Sequence, residues 1–328
     1  LVSNHRIGWG LFNVALLAAI AAGGWFVYFH HQDIIDWWRL NHYTPPAAIA
    51  QLANDTTMVG RGRDLFYVSD PQIEDRSAFN QNCNTTTSEQ GAVLGCYSRQ
   101  SIYIFDVNDP RLPGVQQVTA AHETLHAIYE RLDDATKNRV NSMLQAELAK
   151  YQNDADLQAT IALYNKTEPG ELLNEMHSIL GTEYGNLSPE LEQYYQQYFT
   201  NRAKIVAYAQ SYKQVFTESK QRIATYQAQL TSLKARIDAN TAELNTQAIA
   251  LKNDDIELTQ LRNTNVDAYN QAVPTYNAKV QAYNQLAQST QALINQYNAI
   301  VAQYKSEIAL QTDLTHSLDS KYQPLSTQ

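Results

Sequence analysis

Glycine runs out early in this chain: the last of its 12 is Gly185, and none follows in a sequence of 328 residues. A stretch without glycine has no cheap route into the left-handed backbone region, so tight turns are scarce in it and long helices are favoured. Cysteine is sparse as well, and two cysteines cannot build a four-cysteine zinc or iron–sulfur site. Positive charge is short, with 24 lysines and arginines against 33 acidic residues and a net charge of -9. Binding that depends on neutralising phosphates needs the opposite balance, so no nucleic-acid partner is expected. Charged residues make up only 17% against 44% hydrophobic, which excludes a charge-rich disordered chain. Long apolar runs are missing but for one, which excludes a multi-span transporter or channel.

That one run, Ile7 to Phe29, holds 23 residues without a charge. As a helix it reaches about 34 Å, enough to cross a hydrocarbon core of roughly 30 Å. Trp9 at one end, and Trp25, Tyr28, Trp37 and Trp38 at or beyond the other, match the aromatic belts of membrane interfaces. Residues 1–40 therefore read as a retained transmembrane anchor with flanks, touching lipid through residues 7–29. A buried core helix and a cleaved signal peptide are the alternatives. The run is long for a signal peptide, and aromatics follow Gly23-Gly24 where small residues would mark a cleavage site. Arg6 precedes the span, whereas Asp33 and Asp36 offset Arg39 after it. This balance predicts a single-pass protein with its N-terminus inside and its bulk extracytoplasmic. Cys83 and Cys96 suit that side: they bound a polar loop of 14 residues that a disulfide would close, worth about 3 kcal/mol. Two free thiols are the alternative.

The rest of the chain is expected to be mainly α-helical. A soluble region from Ala47 to Pro113 has strand-like stretches at Arg61–Val68 and Val93–Val107, the clearest being Ser101–Phe105. Helices are expected at Gln116–Leu132, Asp134–Tyr151 and Glu171–Leu180, the last ending on Gly181 as a C-terminal cap. Ser188-Pro189-Glu190 starts another. Residues 41–200 form one small α+β module on this reading, and 201–328 a coiled-coil arm. In the arm Phe216, Ile223, Leu230, Ile237, Leu244, Leu251 and Leu258 recur every seventh residue, followed by Val273, Val280, Ala287, Ile294, Val301 and Ile308. Tyr269, Tyr276, Tyr283, Tyr297 and Tyr304 accompany the second series and read as a packed seam. A one-residue phase slip, the Arg262–Asn265 cluster and Pro274 favour an antiparallel helical hairpin over one bent helix pairing with another chain. The arm offers a surface for a homo-oligomer or a protein partner.

The chemistry is concentrated in His122-Glu123-Thr124-Leu125-His126. Two histidines four apart on a helix send both imidazoles from one face, where they can share a metal ion. Glu123 lies about 100° away on the wheel, placed to reach water at the metal rather than the metal itself, as a general base must. Small neighbours Ala120, Ala121 and Ala127 let other backbone approach.

This five-residue motif resembles the active-site helix of the zincin metallopeptidases. The His-x-x-Gly-x-x-His continuation of the metzincin branch is absent. Instead Asn174-Glu175-Met176-His177-Ser178 is similar to the Asn-Glu-x-x-Ser stretch of the gluzincins, in which a glutamate on a second helix completes the metal site. The resemblance spans about sixty residues and implies a zinc ion held by His122, His126 and Glu175, with Glu123 as catalytic base. It departs from that family in its longer spacing between His126 and Glu175, and in having Ile179 where the family has an aspartate supporting a ligand histidine. His177, Glu171 and Glu183 are the competing third ligands; His177 and Tyr184, with Tyr129, are candidate donors to substrate or transition state. The resemblance implies a zinc-dependent peptidase cleaving peptide or protein substrates by attack of metal-activated water, and the apolar run adds the expectation that it is membrane-anchored. The alternative is a surface adhesion or assembly protein whose coiled coil is the function and whose zincin-like module is a scaffold.

Overall fold

The apolar run lies in one unbroken helix, α1 (Asn4–His42), in a computed structural model that describes residues 4–83, 93–167 and 169–322. Leu16, Leu17, Ile20, Trp25, Val27 and Tyr28 are all exposed, so this stretch is no part of a protein core. Among the described residues no helix is long and apolar enough to cross a membrane. The side chains of residues 4–15, which include much of the expected span and Arg6, lie outside those described.

Three short helices and a small sheet follow. Helices α2 (Ala47–Asp55) and α3 (Gly60–Val68) precede strand β1 (Gln72–Glu74), helix α4 (Arg76–Asn82) and strands β2 (Gly95–Ser98) and β3 (Ser101–Phe105). The order is β1-β3-β2, with β1 parallel to β3 (Ile73 opposite Ile104) and β2 antiparallel to it (Cys96 opposite Tyr103). Arg99 and Gln100 both take positive φ in the two-residue connection, the geometry that matches strand twist in a tight hairpin. The strand expected at Ser101–Phe105 is present, and Cys83 and Cys96 form a disulfide joining the end of α4 to β2. The strand-like reading of Arg61–Val68 is corrected: this segment is α3. Gly62, Leu65 and Phe66 are buried at helical spacing, and a Cβ on Gly62 would lie 2.7 Å from the Tyr198 carbonyl oxygen.

Helix α5 (Val115–Glu130) runs through the centre of the core. Its small and branched residues, among them Ala120, Ala121, Leu125 and Ile128, are fully or almost fully buried. It packs against β2 and β3 and, most extensively, against α8 (Leu172–Glu183), reached through α6 (Asp134–Leu148) and α7 (Ala155–Thr167). Asp133 caps α6 by accepting from the Thr136 amide. Gly181 does not end α8, which continues to Glu183. A Cβ there would meet Leu125 Cδ1 at 2.5 Å and Tyr195 Cε1 at 2.9 Å, so the glycine serves the close crossing of α5 and α8. Helix α9 (Pro189–Tyr195) starts after Ser188, as expected.

Two helices of unusual length complete the chain, α10 (Arg202–Thr264) and α11 (Val266–Leu318), broken at Asn265, whose side chain accepts from the Ala268 amide. The chain divides into two compact units: one holds residues 1–213 and 316–328, the other Gln214–Thr315. The arm is therefore an insertion, and residues 316–322 belong to the first unit rather than to the arm. There Arg76 donates to the carbonyls of His316, Asp319 and Tyr322, and Asn80 to that of Ser320.

In the second unit α10 and α11 are antiparallel partners: Arg222 pairs with Glu307, Asn240 with Thr290, and Asp254 with Lys279. The seam carries the expected heptads and much polar matter, with Ser219, Thr290 and Glu307 buried. The α11 stripe drifts near its end. Ile308 is 37% exposed while its neighbour Glu307 is 9% exposed and bonded to Arg222 of α10.

Candidate metal centre

Helix α5 supplies the two histidines and α8 the carboxylate. One turn of α5 separates His122 from His126, and their Nε2 atoms stand 3.1 Å apart. Glu175, in the first turn of α8, places Oε1 3.5 Å from His126 Nε2 and Oε2 3.7 Å from His122 Nε2. One ligand atom from each of the three lies within 4.8 Å of the others, and among the described residues this is the group that could hold a metal ion.

A network of donors orients the group. Asn174, next to Glu175, accepts through Oδ1 from His126 Nδ1–H at 2.9 Å, and its amide donates to Glu171 Oε2 at 3.0 Å. With Nδ1 carrying the proton, His126 Nε2 presents its lone pair to His122 and Glu175. Burial opposes charge on His122, but Glu175 and the nearby Glu123 and Glu183 carboxylates outweigh it and push its pKa up to about 9. Burial and the His122 charge push His126 down. Burial would raise Glu175, yet His122, His126 and the Tyr164 hydroxyl pull it to about 2. In the metal-free protein the group is thus a protonated His122 facing a neutral His126 and an ionised Glu175.

Around it lies a cavity of about 450 Å³, walled by β2, α5, α7, α8 and the start of α10. Glu123, 6% exposed, opens onto it. The carboxylate is pressed against the strand, since a Cβ on Gly95 would stand 2.8 Å from Glu123 Oε1 and 2.5 Å from Thr119 Cγ2. The structure thus brings together His122, Glu123, His126 and Glu175.

The other candidates lie elsewhere. Glu171 and Glu183 border the cavity but are outside the ligand group, and Glu183 accepts from Lys213. His177, two residues beyond Glu175, points away into the core. It is fully buried, bonds Tyr194 Oη at 2.9 Å, and is held low, at about 3, chiefly by burial. It does not line the cavity, so it is not placed to donate to a substrate there. Neither is Tyr184, which donates to Asp154 Oδ2 at 3.0 Å, nor Tyr129, which donates to Asn141. The sequence reading missed Tyr164 and Tyr212, which do line the cavity. The only signal for Tyr164 was its helical spacing from Leu157 and Thr160 on α7.

No family model, no curated protein and no solved structure matches this chain. Its function is therefore read from the geometry of the site.

Proposed function

We propose that the protein is a membrane-anchored, zinc-dependent peptidase whose cavity faces the extracytoplasmic side. The observation that carries this reading is the convergence of His122, His126 and Glu175 with the Glu123 carboxylate in one cavity. The donor set fits zinc. Two imidazole nitrogens and one carboxylate oxygen are its ordinary catalytic ligands, and tetrahedral ligands at ~2.0–2.1 Å from the ion stand about 3.4 Å apart. Here the two Nε2 atoms are 3.1 Å apart, His126 Nε2 is 3.5 Å from Glu175 Oε1 and His122 Nε2 is 3.7 Å from Oε2, and one ligand atom from each side chain lies within 4.8 Å of the others. A bound zinc ion supplies Lewis acidity toward a carbonyl oxygen and toward water.

The chain's own residues do the rest. Glu123 takes the proton of the attacking water and returns it to the departing amine, a role open to a carboxylate that borders the cavity without joining the ligand group. Asn174 holds His126 in the tautomer that leaves Nε2 free. Among the described residues strand β2 pairs with β3 alone, and its Gly95, Cys96 and Tyr97 border the cavity. An extended polypeptide can pair with such an edge, which favours a peptide as substrate. The Cys83–Cys96 disulfide supports an oxidising compartment. The exposed apolar residues of α1 support the anchor.

The test is Glu123→Gln. Purified full-length protein should contain about one zinc per chain, and the variant should keep that zinc while peptide turnover falls by roughly 100-fold or more. Equal turnover by the two proteins would remove Glu123 from the role of base.

A further inference from the structure

The end of α1 is turned the wrong way for a helix packed in water. At about 100° per residue, Gln32, Asp36, Arg39 and Leu40 fall within about 60° of one another's common direction, centred on Asp36. All four are half-buried on the domain side. Arg131, at the end of the metal-bearing helix α5, grips Asp36 with Nε at 2.8 Å and Nη2 at 3.3 Å, and donates through Nη1 to the Tyr97 hydroxyl on the cavity wall at 2.7 Å. Gln100, in the β2–β3 turn, bonds both Gln32 and Arg39. The opposite arc, between about 100° and 260° from Asp36, holds the exposed His30, His31 and Asn41 and four large apolar residues, Ile34, Ile35, Trp37 and Trp38. These are 42%, 41%, 66% and 57% exposed.

Gln32, Asp36 and Arg39 turned inward, with Ile34, Ile35, Trp37 and Trp38 turned outward, invert the usual arrangement of a surface helix. The apolar exposure also continues, through Tyr28, Val27, Trp25, Ile20, Leu17 and Leu16, into the 23-residue uncharged run. A protein partner would cover one face, whereas these residues are exposed around the helix. Tryptophan prefers the headgroup level, where its ring is apolar and its N–H meets polar partners.

We propose that Ile34, Ile35, Trp37 and Trp38 form a lipid-facing surface lying in the headgroup layer of a bilayer. The metal-bearing module is held on the opposite side of α1 by Asp36 and Arg131. This deepens the anchor reading and rests on it. Trp37 is about 12 Å of helix beyond Phe29, so α1 leaves the bilayer at a lean, apolar arc downward.

All four tryptophans of the chain, Trp9, Trp25, Trp37 and Trp38, are in α1, so intrinsic fluorescence of the full chain reports this helix alone. The double variant W9F/W25F isolates Trp37 and Trp38; W37F/W38F isolates the other pair. Each is reconstituted into phosphatidylcholine vesicles with lipids brominated high on the acyl chain. Trp37 and Trp38 should shift to the blue and lose roughly half their emission. Water-like, unquenched emission from Trp37 and Trp38 with quenching of the other pair would overturn the proposal while leaving the anchor in place. If neither pair is quenched, the anchor reading falls with it.

Discussion

A proton and a metal ion compete for one nitrogen of His122, because Nε2 is the atom that faces both His126 and Glu175. In the metal-free chain His122 is held at about 9 against an ordinary 6.5, so it is protonated at neutral pH, and metal must expel that proton. Metal affinity should therefore climb about tenfold per unit as pH rises from 7 toward 9, and level off above. Calorimetry at pH 7 in buffers of differing protonation enthalpy should show release of about one proton per ion; no release would mean His122 is already neutral. The same shifts govern the metal-free fold. The raised His122 contributes stability that is complete below pH 6.5 and lost as pH climbs through about 9. The depressed Glu175 contributes above pH 4.5 and loses its contribution as pH falls through about 2. Together they stabilise most between those limits. Asn174 acts through His126 and binds no ion itself. Asn174→Ala should weaken metal binding by roughly 10–100-fold in chelator competition, with little change in thermal melting.

Among the elements, the contact of β2 with α5 decides where the base sits. A methyl at Gly95 would crowd Thr119 and Glu123 at 2.5 and 2.8 Å, so either the strand or the carboxylate must shift. Gly95→Ala should keep full zinc content and lose turnover by at least about tenfold, as small misplacements of reacting groups do. A parental rate would show that β2 does not position Glu123. Local patterns of this kind were legible in the sequence where both partners lie on one element. His122 and His126 are one helical turn apart, and the seam of α10 announces itself by repetition. Glu175 was reachable only through its resemblance to a known motif, since nothing in its own spacing to His126 fixes a contact across two intervening helices. Tyr164 and Tyr212 arrive from α7 and α10, and beyond the helical spacing of Tyr164 nothing in the sequence ties either to His122 and His126. Gly181 was misread because a glycine near a helix end looks like a cap, while its use in a helix crossing depends on Leu125 and Tyr195 far away in sequence. Ile308 and Glu307 exchanged places for a similar reason: the partner of Glu307 is Arg222, 85 residues away in sequence.

For the molecule as a whole, the connection between the two units matters more than their sizes. The chain leaves the first unit after Lys213 and rejoins it at His316, where Arg76 and Asn80 fasten the returning backbone. Within the arm, Arg222 faces Glu307, so the two helices are neighbours at that level. Replacing residues 223–306 by a short flexible linker should therefore leave the melting of the first unit nearly unchanged. Deleting 316–328 should lower it by roughly 5–10 °C through the lost bonds of Arg76, as calorimetry would show. Topologically the arm is a detour, and trimming the chain from its C-terminal end strips the strap before it shortens the arm. A fragment cut at residues 41–200, the module that the sequence suggests, would lack that strap, and the smallest self-sufficient piece must be stitched from two separate segments.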